Sequence, residues 1–161
     1  MGKVIVFVLL LSTPAYAQDG EKAARAVSWV ALGAGVALDT VDAFKQDDKK
    51  RALAAEGVGL VATGLSTLAM KKAFPEDRPC AKQMDCGNED PHASWWSGHS
   101  ANACFMVPTT SKAMWVTGSV LAGFVIIGRI AGNRHYWWDT AAGCADGIVM
   151  HQVMRKVFKT R

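Results

Sequence analysis

The chain has 161 residues, long enough for one helical or mixed domain and too short for two ordinary ones. Half of it is hydrophobic and one fifth is charged, which excludes a disordered tail or a polar linker; its 15 glycines carry no Gly-x-y period, which excludes collagen. A formal charge of +4 suits an anionic small molecule or a membrane surface, and without a basic arm or a zinc-finger spacing no nucleic-acid partner is expected.

Residues 1–17 read as an export signal: Lys3 supplies the positive start, Val4 to Leu11 an apolar run, and Ala15-Tyr16-Ala17 a small-x-small cleavage site. Cleavage there leaves a single domain over residues 18–161; without cleavage the segment serves as an additional first helix. An address outside the cytoplasm makes Cys80, Cys86, Cys104 and Cys144 candidates for disulfides. Cys80 and Cys86 are the pair close in sequence, in a polar loop where a small ring closes easily, but four cysteines allow three pairings and the sequence does not choose among them.

A helix is expected from about Glu21 to Phe44, with Val27, Val30, Ala31, Ala34, Leu38 and Val41 on one stripe. The charged connection Lys45 to Arg51 follows, then a second helix from about Leu53 to Phe74 that Pro75 ends. Glu76 to Trp95, with Pro79, Gly87, Pro91 and the close cysteine pair, reads as a long loop. A short third helix spans about Ser97 to Val107, and Pro108 to Ser111 form a turn in which Ser111 is placed to cap the next helix. That fourth helix holds sixteen uncharged residues between Lys112 and Arg129, and a fifth runs from about Tyr136 to Phe158. No segment alternates with the period of two that a strand requires. The expected architecture is therefore all-α, a compact bundle of about five helices.

No apolar run after the signal reaches the roughly 18–20 residues of a clean membrane span, because Asp39, Asp42, Glu56, Asp139 and Asp146 interrupt the candidates. The loop charges point the other way. With the mature N-terminus outside and one crossing per helix, Lys45, Lys49, Lys50, Arg51, Lys112 and the tail residues Arg155, Lys156, Lys159 and Arg161 all fall inside, whereas Glu76, Asp77, Asp85, Glu89 and Asp90 fall outside. That is the positive-inside bias, and it favours an integral membrane protein over a soluble bundle with basic turns.

The same counting of helix reversals gathers four polar clusters at one end of the bundle, opposite the basic turns. They are Lys71 and Arg78 around Pro75, Ser97-Gly98-His99 at the start of the third helix, Arg129 at the exit of the fourth, and His135 with Asp139 at the entrance of the fifth. Hydrophobic packing does not require such convergence. Three cations can surround a tetrahedral dianion, the guanidiniums with planar donor pairs and the ammonium with a compact charge. Gly98 lets backbone approach a ligand, and its N–H lies at a helix start that favours anions. Two histidines then supply a nucleophile and an acid for the leaving oxygen. With a carboxylate four residues on to fix its tautomer, His135 reads as the nucleophile and His99 as the acid.

The constellation resembles the type-2 phosphatidic acid phosphatase (PAP2) superfamily, which also contains the vanadium haloperoxidases. Lys71 through Arg78-Pro79 matches that family's Lys, six residues, Arg-Pro motif; Trp96-Ser97-Gly98-His99 matches Pro-Ser-Gly-His; and Gly128-Arg129, His135 and Asp139 match its Ser-Arg, five residues, His, three residues, Asp. Trp96 replaces the family proline and Gly128 the family serine. The resemblance implies the acid phosphatase and haloperoxidase type of helical fold. It also implies a two-step hydrolysis in which His135 takes the phosphoryl group, His99 protonates the leaving group, Asp139 holds His135, and Lys71, Arg78, Ser97, Gly98 and Arg129 bind the phosphoryl oxygens. No metal or other cofactor is expected, since the cations already neutralise the developing charge.

The expected substrate is a lipid phosphate or pyrophosphate at the periplasmic face of a bacterial inner membrane, with membrane lipids around the protein and no obligate protein partner inferable. A soluble periplasmic acid phosphatase, a haloperoxidase and an inactive phospholipid-binding protein are the alternatives. Trp95, Trp96, Trp137 and Trp138 could line a lipid entrance or simply pack a helix end, while His92 and His151 read as structural.

Overall fold

The computed structural model of the chain describes residues 14–83, 86–107 and 110–160. Within them five α-helices form and no strand: α1 Pro14–Lys45, α2 Lys49–Ala73, α3 Gly98–Phe105, α4 Lys112–Ala131 and α5 Trp137–Phe158, with a 3-10 turn at Pro79–Gln83. This is the all-α bundle that the periodicity suggests. The apolar part of the export signal and the Pro108-Thr109 part of the expected turn lie outside the described residues, and Ala15-Tyr16-Ala17 falls on the first turns of α1.

Local chemistry sets the helix starts. Asp48 accepts a hydrogen bond from the Arg51 amide at 3.1 Å and pairs with the Arg51 guanidinium at 3.0 Å. The charged connection is consequently shorter than expected, and α2 begins at Lys49. Ser97 accepts from the Ser100 amide at 3.3 Å and Ser111 from the Met114 amide at 3.2 Å; a serine cap of this kind contributes about 1 kcal/mol. α2 stops where Pro75 brings no N–H to continue it.

α1 packs along α4, while α2 and α3 pack on α5. The α3–α5 contact is close because α5 presents glycines to it. A Cβ on Gly143 would lie 2.3 Å from the Ser97 carbonyl oxygen, and one on Gly147 would lie 2.0 Å from that of Ala101. A disulfide between Cys104 and Cys144 fastens the same pair of helices. The start of α3 is thereby held over the start of α5, which sets His99 and Asp139 in one neighbourhood.

α2 buries Ala52, Ala55, Gly59, Thr63 and Thr67 and exposes Val58, Val61, Leu65 and Leu68. Small and polar residues inside with large apolar residues outside is the packing of helices in lipid, where there is no water to drive the large side chains inward. α4 does the same, exposing Trp115, Val120, Phe124 and Ile127. Among the described residues three helices, over Asp19–Lys45, Lys49–Ala73 and Lys112–Ala131, are long and apolar enough to cross a membrane, which corrects the expectation that Asp39, Asp42 and Glu56 leave α1 and α2 without a span; α5, with Asp139 and Asp146, is not one of the three. Those acids point inward. Asp39 and Asp42 are buried, Asp42 accepts from Thr110 Oγ1, and Asp146 accepts from Ser66 Oγ at 2.8 Å, as groups kept out of hydrocarbon must.

Candidate active site

The α2–α3 loop folds back on itself and brings Arg78 to the site. The Ser94 amide bonds the Glu76 carbonyl at 2.9 Å and the Arg78 amide bonds the Pro91 carbonyl at 2.8 Å. Lys71, in the last turn of α2, donates through Nζ to the carbonyls of Ala93 and, at 3.1 Å, Ser94. Two of its three donors thus hold the loop. Cys80 and Cys86 are joined by a disulfide, and the Cys80 amide bonds the Asn133 carbonyl at 3.1 Å, tying the loop to the α4–α5 connection.

Arg78 is buried and reaches across this junction. Its Nε donates to the Asp90 carbonyl at 2.8 Å and its Nη1 to the Arg134 carbonyl at 2.9 Å. The same Nη1 lies 3.1 Å from Nε2 of His135. On the other side of that ring, Nδ1 faces Oδ2 of Asp139 at 3.4 Å. Asp139 is fully buried, accepts from the Tyr136 amide at 3.0 Å and from the hydroxyl of Ser94, and so is fixed before it meets the imidazole. Burial first of all, with Arg78, Arg129 and Lys71 adding and the Asp139 hydrogen bond opposing, pushes the His135 ring down to about 4. It is neutral at ordinary pH, with a nitrogen on the cationic side.

Arg129, at the end of α4, is 1% exposed. Its Nη2 donates to both oxygens of Glu89, at 2.8 and 2.6 Å, and Arg78 Nη1 pairs with Oε2 of the same carboxylate at 2.8 Å. Nε and Nη1 of Arg129 have no hydrogen-bond partner among the described residues, nor does Nε2 of His99. Burial, then the charge of Arg129, pushes His99 down to about 3, with Glu89 opposing and His135 and Arg78 adding. The ring therefore sits in the field of the same pocket. Trp29 of α1 packs edge-on against it, ring centroids 4.4 Å apart.

Lys71, Arg78, His99, Arg129, His135 and Asp139 thus share one end of the bundle. Ser97 and Gly98 lie beside them at the start of α3. The Ser97 hydroxyl caps α3 and accepts from the Ser100 hydroxyl at 3.1 Å, and its amide bonds the Asp139 carbonyl at 3.0 Å. At Gly98 a Cβ would meet Thr67 Cγ2 at 3.1 Å, so its small size serves the approach of α2. Gly128 has a comparable reason: a Cβ there would lie 2.6 Å from the Ala24 carbonyl oxygen and 2.8 Å from Ser28 Cβ, leaving no room for a serine against α1. His92 pairs with Asp77 on the surface at 2.6 Å, and His151 bonds the Phe105 carbonyl at 2.8 Å; both stand apart from the pocket.

Sequence reasoning passed over Glu89, Ser94 and Trp29. No group of His, Cys, Asp and Glu among the described residues is arranged to hold a metal ion. What the site offers is a buried cluster of guanidiniums, with an ammonium at its edge, beside a neutral imidazole whose far nitrogen faces a fixed carboxylate.

A family model for the PAP2 superfamily matches residues 52–161, more than half of the chain; α1 precedes the matched region. No curated protein and no solved structure matches the chain.

Proposed function

The chain belongs to the PAP2 superfamily of hydrolases, and we propose that it removes a phosphoryl group from a lipid phosphate or lipid pyrophosphate through a phosphohistidine on His135. The observation that carries this reading is the pair of contacts on one ring, Arg78 at Nε2 and Asp139 at Nδ1. A substrate phosphoryl oxygen bound to Arg78 brings phosphorus to the nitrogen that has a free electron pair, while the carboxylate on the opposite side receives the charge that develops on the ring.

In the first step Nε2 of His135 bonds to phosphorus and the P–O bond to the lipid breaks. The electron pair leaves on the lipid oxygen, which takes a proton from His99. In the second step His99 accepts a proton from water, the hydroxide oxygen bonds to phosphorus, and the P–N bond electrons return to His135. Arg78 and Arg129, with Lys71 at the rim, stabilise the charge on the three phosphoryl oxygens in both steps. His99 must carry a proton to begin, although in the resting pocket it is held near 3. A phosphoryl dianion opposes the positive field on it but not the burial that lowers it most; a substrate monoanion brings the needed proton with it, the second ionisation of a phosphate ester lying at about 6.

The exposed apolar faces of α1, α2 and α4 support a lipid substrate. The basic turns at the opposite end support a periplasmic site, and residues 1–17 are read as the export signal. The test is phosphate release from a panel of lipid phosphates and pyrophosphates in mixed micelles by the purified protein and by H135A. Turnover by the wild type and none by H135A is expected; equal rates would remove His135 from the reaction.

A further inference from the structure

Glu89 has no part in the reaction above, yet its carboxylate occupies the cationic pocket. It is bidentate on Arg129 Nη2 and shares Arg78 Nη1 with His135 Nε2. Its two oxygens therefore take donors that two phosphoryl oxygens of a substrate would need. It satisfies the pocket only in part, since Nε and Nη1 of the fully buried Arg129 are left without partners among the described residues.

The backbone is built to present it there. Cys86 to Glu89 form a turn closed by the Glu89 amide on the Cys86 carbonyl at 3.2 Å, with Gly87 at φ +56°, where a side chain would be strained. The disulfide to Cys80 and a hydrogen bond from Arg134 Nη1 to the Cys86 carbonyl fasten the start of the turn. The side chain itself is 29% exposed and has an open path to solvent. Burial alone would raise its pKa, but the hydrogen bond and charge of Arg129, with Arg78 and Arg134, hold it down at about 2. It remains a carboxylate at any pH at which the enzyme would work.

We propose that Glu89 is a resident competitor that sets the binding threshold of the pocket, a carboxylate that every anion must displace from Arg78 and Arg129. Resting on the reading of this pocket as a phosphoryl site, the inference concerns the lipid around it. A phosphodiester headgroup carries one negative charge, as Glu89 does, and gains little by exchanging with it. A phosphate monoester or terminal pyrophosphate brings a second charge and a third oxygen for the unpartnered donors of Arg129. Displacing Glu89 lowers the affinity of every anion by a common factor and leaves their ratio unchanged; what it sets is a threshold, below which a weakly held diester leaves the site empty while the more strongly held dianion still fills it.

The test is calorimetric binding of inorganic phosphate and of diethyl phosphate to the full-length protein in detergent at neutral pH, for wild type, E89Q and E89D. Removing the carboxylate by E89Q is expected to tighten phosphate by roughly ten- to hundredfold, the range of a charge-assisted hydrogen bond, and to bring diethyl phosphate from undetectable to measurable. E89D keeps the charge and shortens the reach, and is expected to move the same way. Phosphate affinity unchanged or weakened in E89Q would make Glu89 a clamp that positions Arg129 and would overturn the proposal, as would E89D equal to wild type beside a tightened E89Q. Binding needs no turnover, so a protein that binds phosphate with this pattern and hydrolyses nothing refutes the phosphatase reading alone. A protein that hydrolyses lipid phosphates while E89Q gains no affinity refutes the role of Glu89 alone.

Discussion

Replacing Gly128 by serine, the residue that the family pattern carries at this position, should destabilise the protein and not restore anything to the pocket. The ideal Cβ would sit 2.6 Å from the Ala24 carbonyl oxygen and 2.8 Å from Ser28 Cβ, well inside ordinary contact distance. Both atoms belong to helix backbone or lie one bond from it, so α1 has to retreat as a body. Overpacking of this kind costs about 1–3 kcal/mol. The retreat also breaks the hydrogen bond from Ser28 Oγ to the Val125 carbonyl, already 3.4 Å long, leaving a buried hydroxyl unsatisfied at a further cost of about 1 kcal/mol. For a chain of this size, about 2–4 kcal/mol lowers the midpoint of thermal unfolding by on the order of 5–15 °C. The assay is circular dichroism on heating in detergent, with G123A as control. Gly123 lies on the same helix with nothing within 4 Å of its would-be Cβ, and alanine there should stabilise by up to about 1 kcal/mol. G128S melting with or above the wild type would refute the close packing of α1 on α4 and the explanation of the missing serine.

The pH profile of kcat/KM should be acidic and bell-shaped. His135, lowered to about 4 chiefly by burial, is neutral above that pH and lost as a nucleophile below it; the proton shared by substrate and His99 is lost as pH rises through about 6. A profile flat between these limits and neutrality would contradict the assignment of the proton. S94A removes the hydroxyl that donates to Asp139 and should lower kcat about tenfold with little change in KM, the loss of one charge-assisted hydrogen bond; a change confined to KM would count against a positioning role. W29A strips the indole from His99. The ring should then titrate above its value of about 3, nearer 6.5, by NMR, and an unmoved titration would show that the desolvation comes from elsewhere.

The residues that sequence could supply are those whose spacing is itself the signal. Lys71 with Arg78, Ser97 with His99, and Arg129 with His135 and Asp139 each lie within one loop or helix end, and counting helix reversals brings them together. Glu89 is one of five acids in the outer loop, and what selects it is the Cys80–Cys86 disulfide and the positive φ of Gly87. Ser94 meets Asp139 only because the α2–α3 loop doubles back through the Glu76–Ala93 bridge. Trp29 reaches His99 from a helix distant in sequence. The spans were obscured for a related reason. Asp39 and Asp42 break the uninterrupted apolar run in α1, although its mean hydropathy still suffices for a span, and the bundle turns both inward. In sequence Gly128 is a departure from the family serine, and in three dimensions it is the floor on which α1 rests.

The central claim is a covalent phosphoryl group on His135. Denaturing quench of the enzyme during turnover of a lipid phosphate labelled in its phosphoryl group, followed by peptide mapping under alkaline conditions that preserve phosphohistidine, tests it directly. The account predicts label on His135 during turnover by the wild type and no labelled peptide in H135A. Label on any other residue, or turnover with no labelled protein at any time in the reaction, would contradict it.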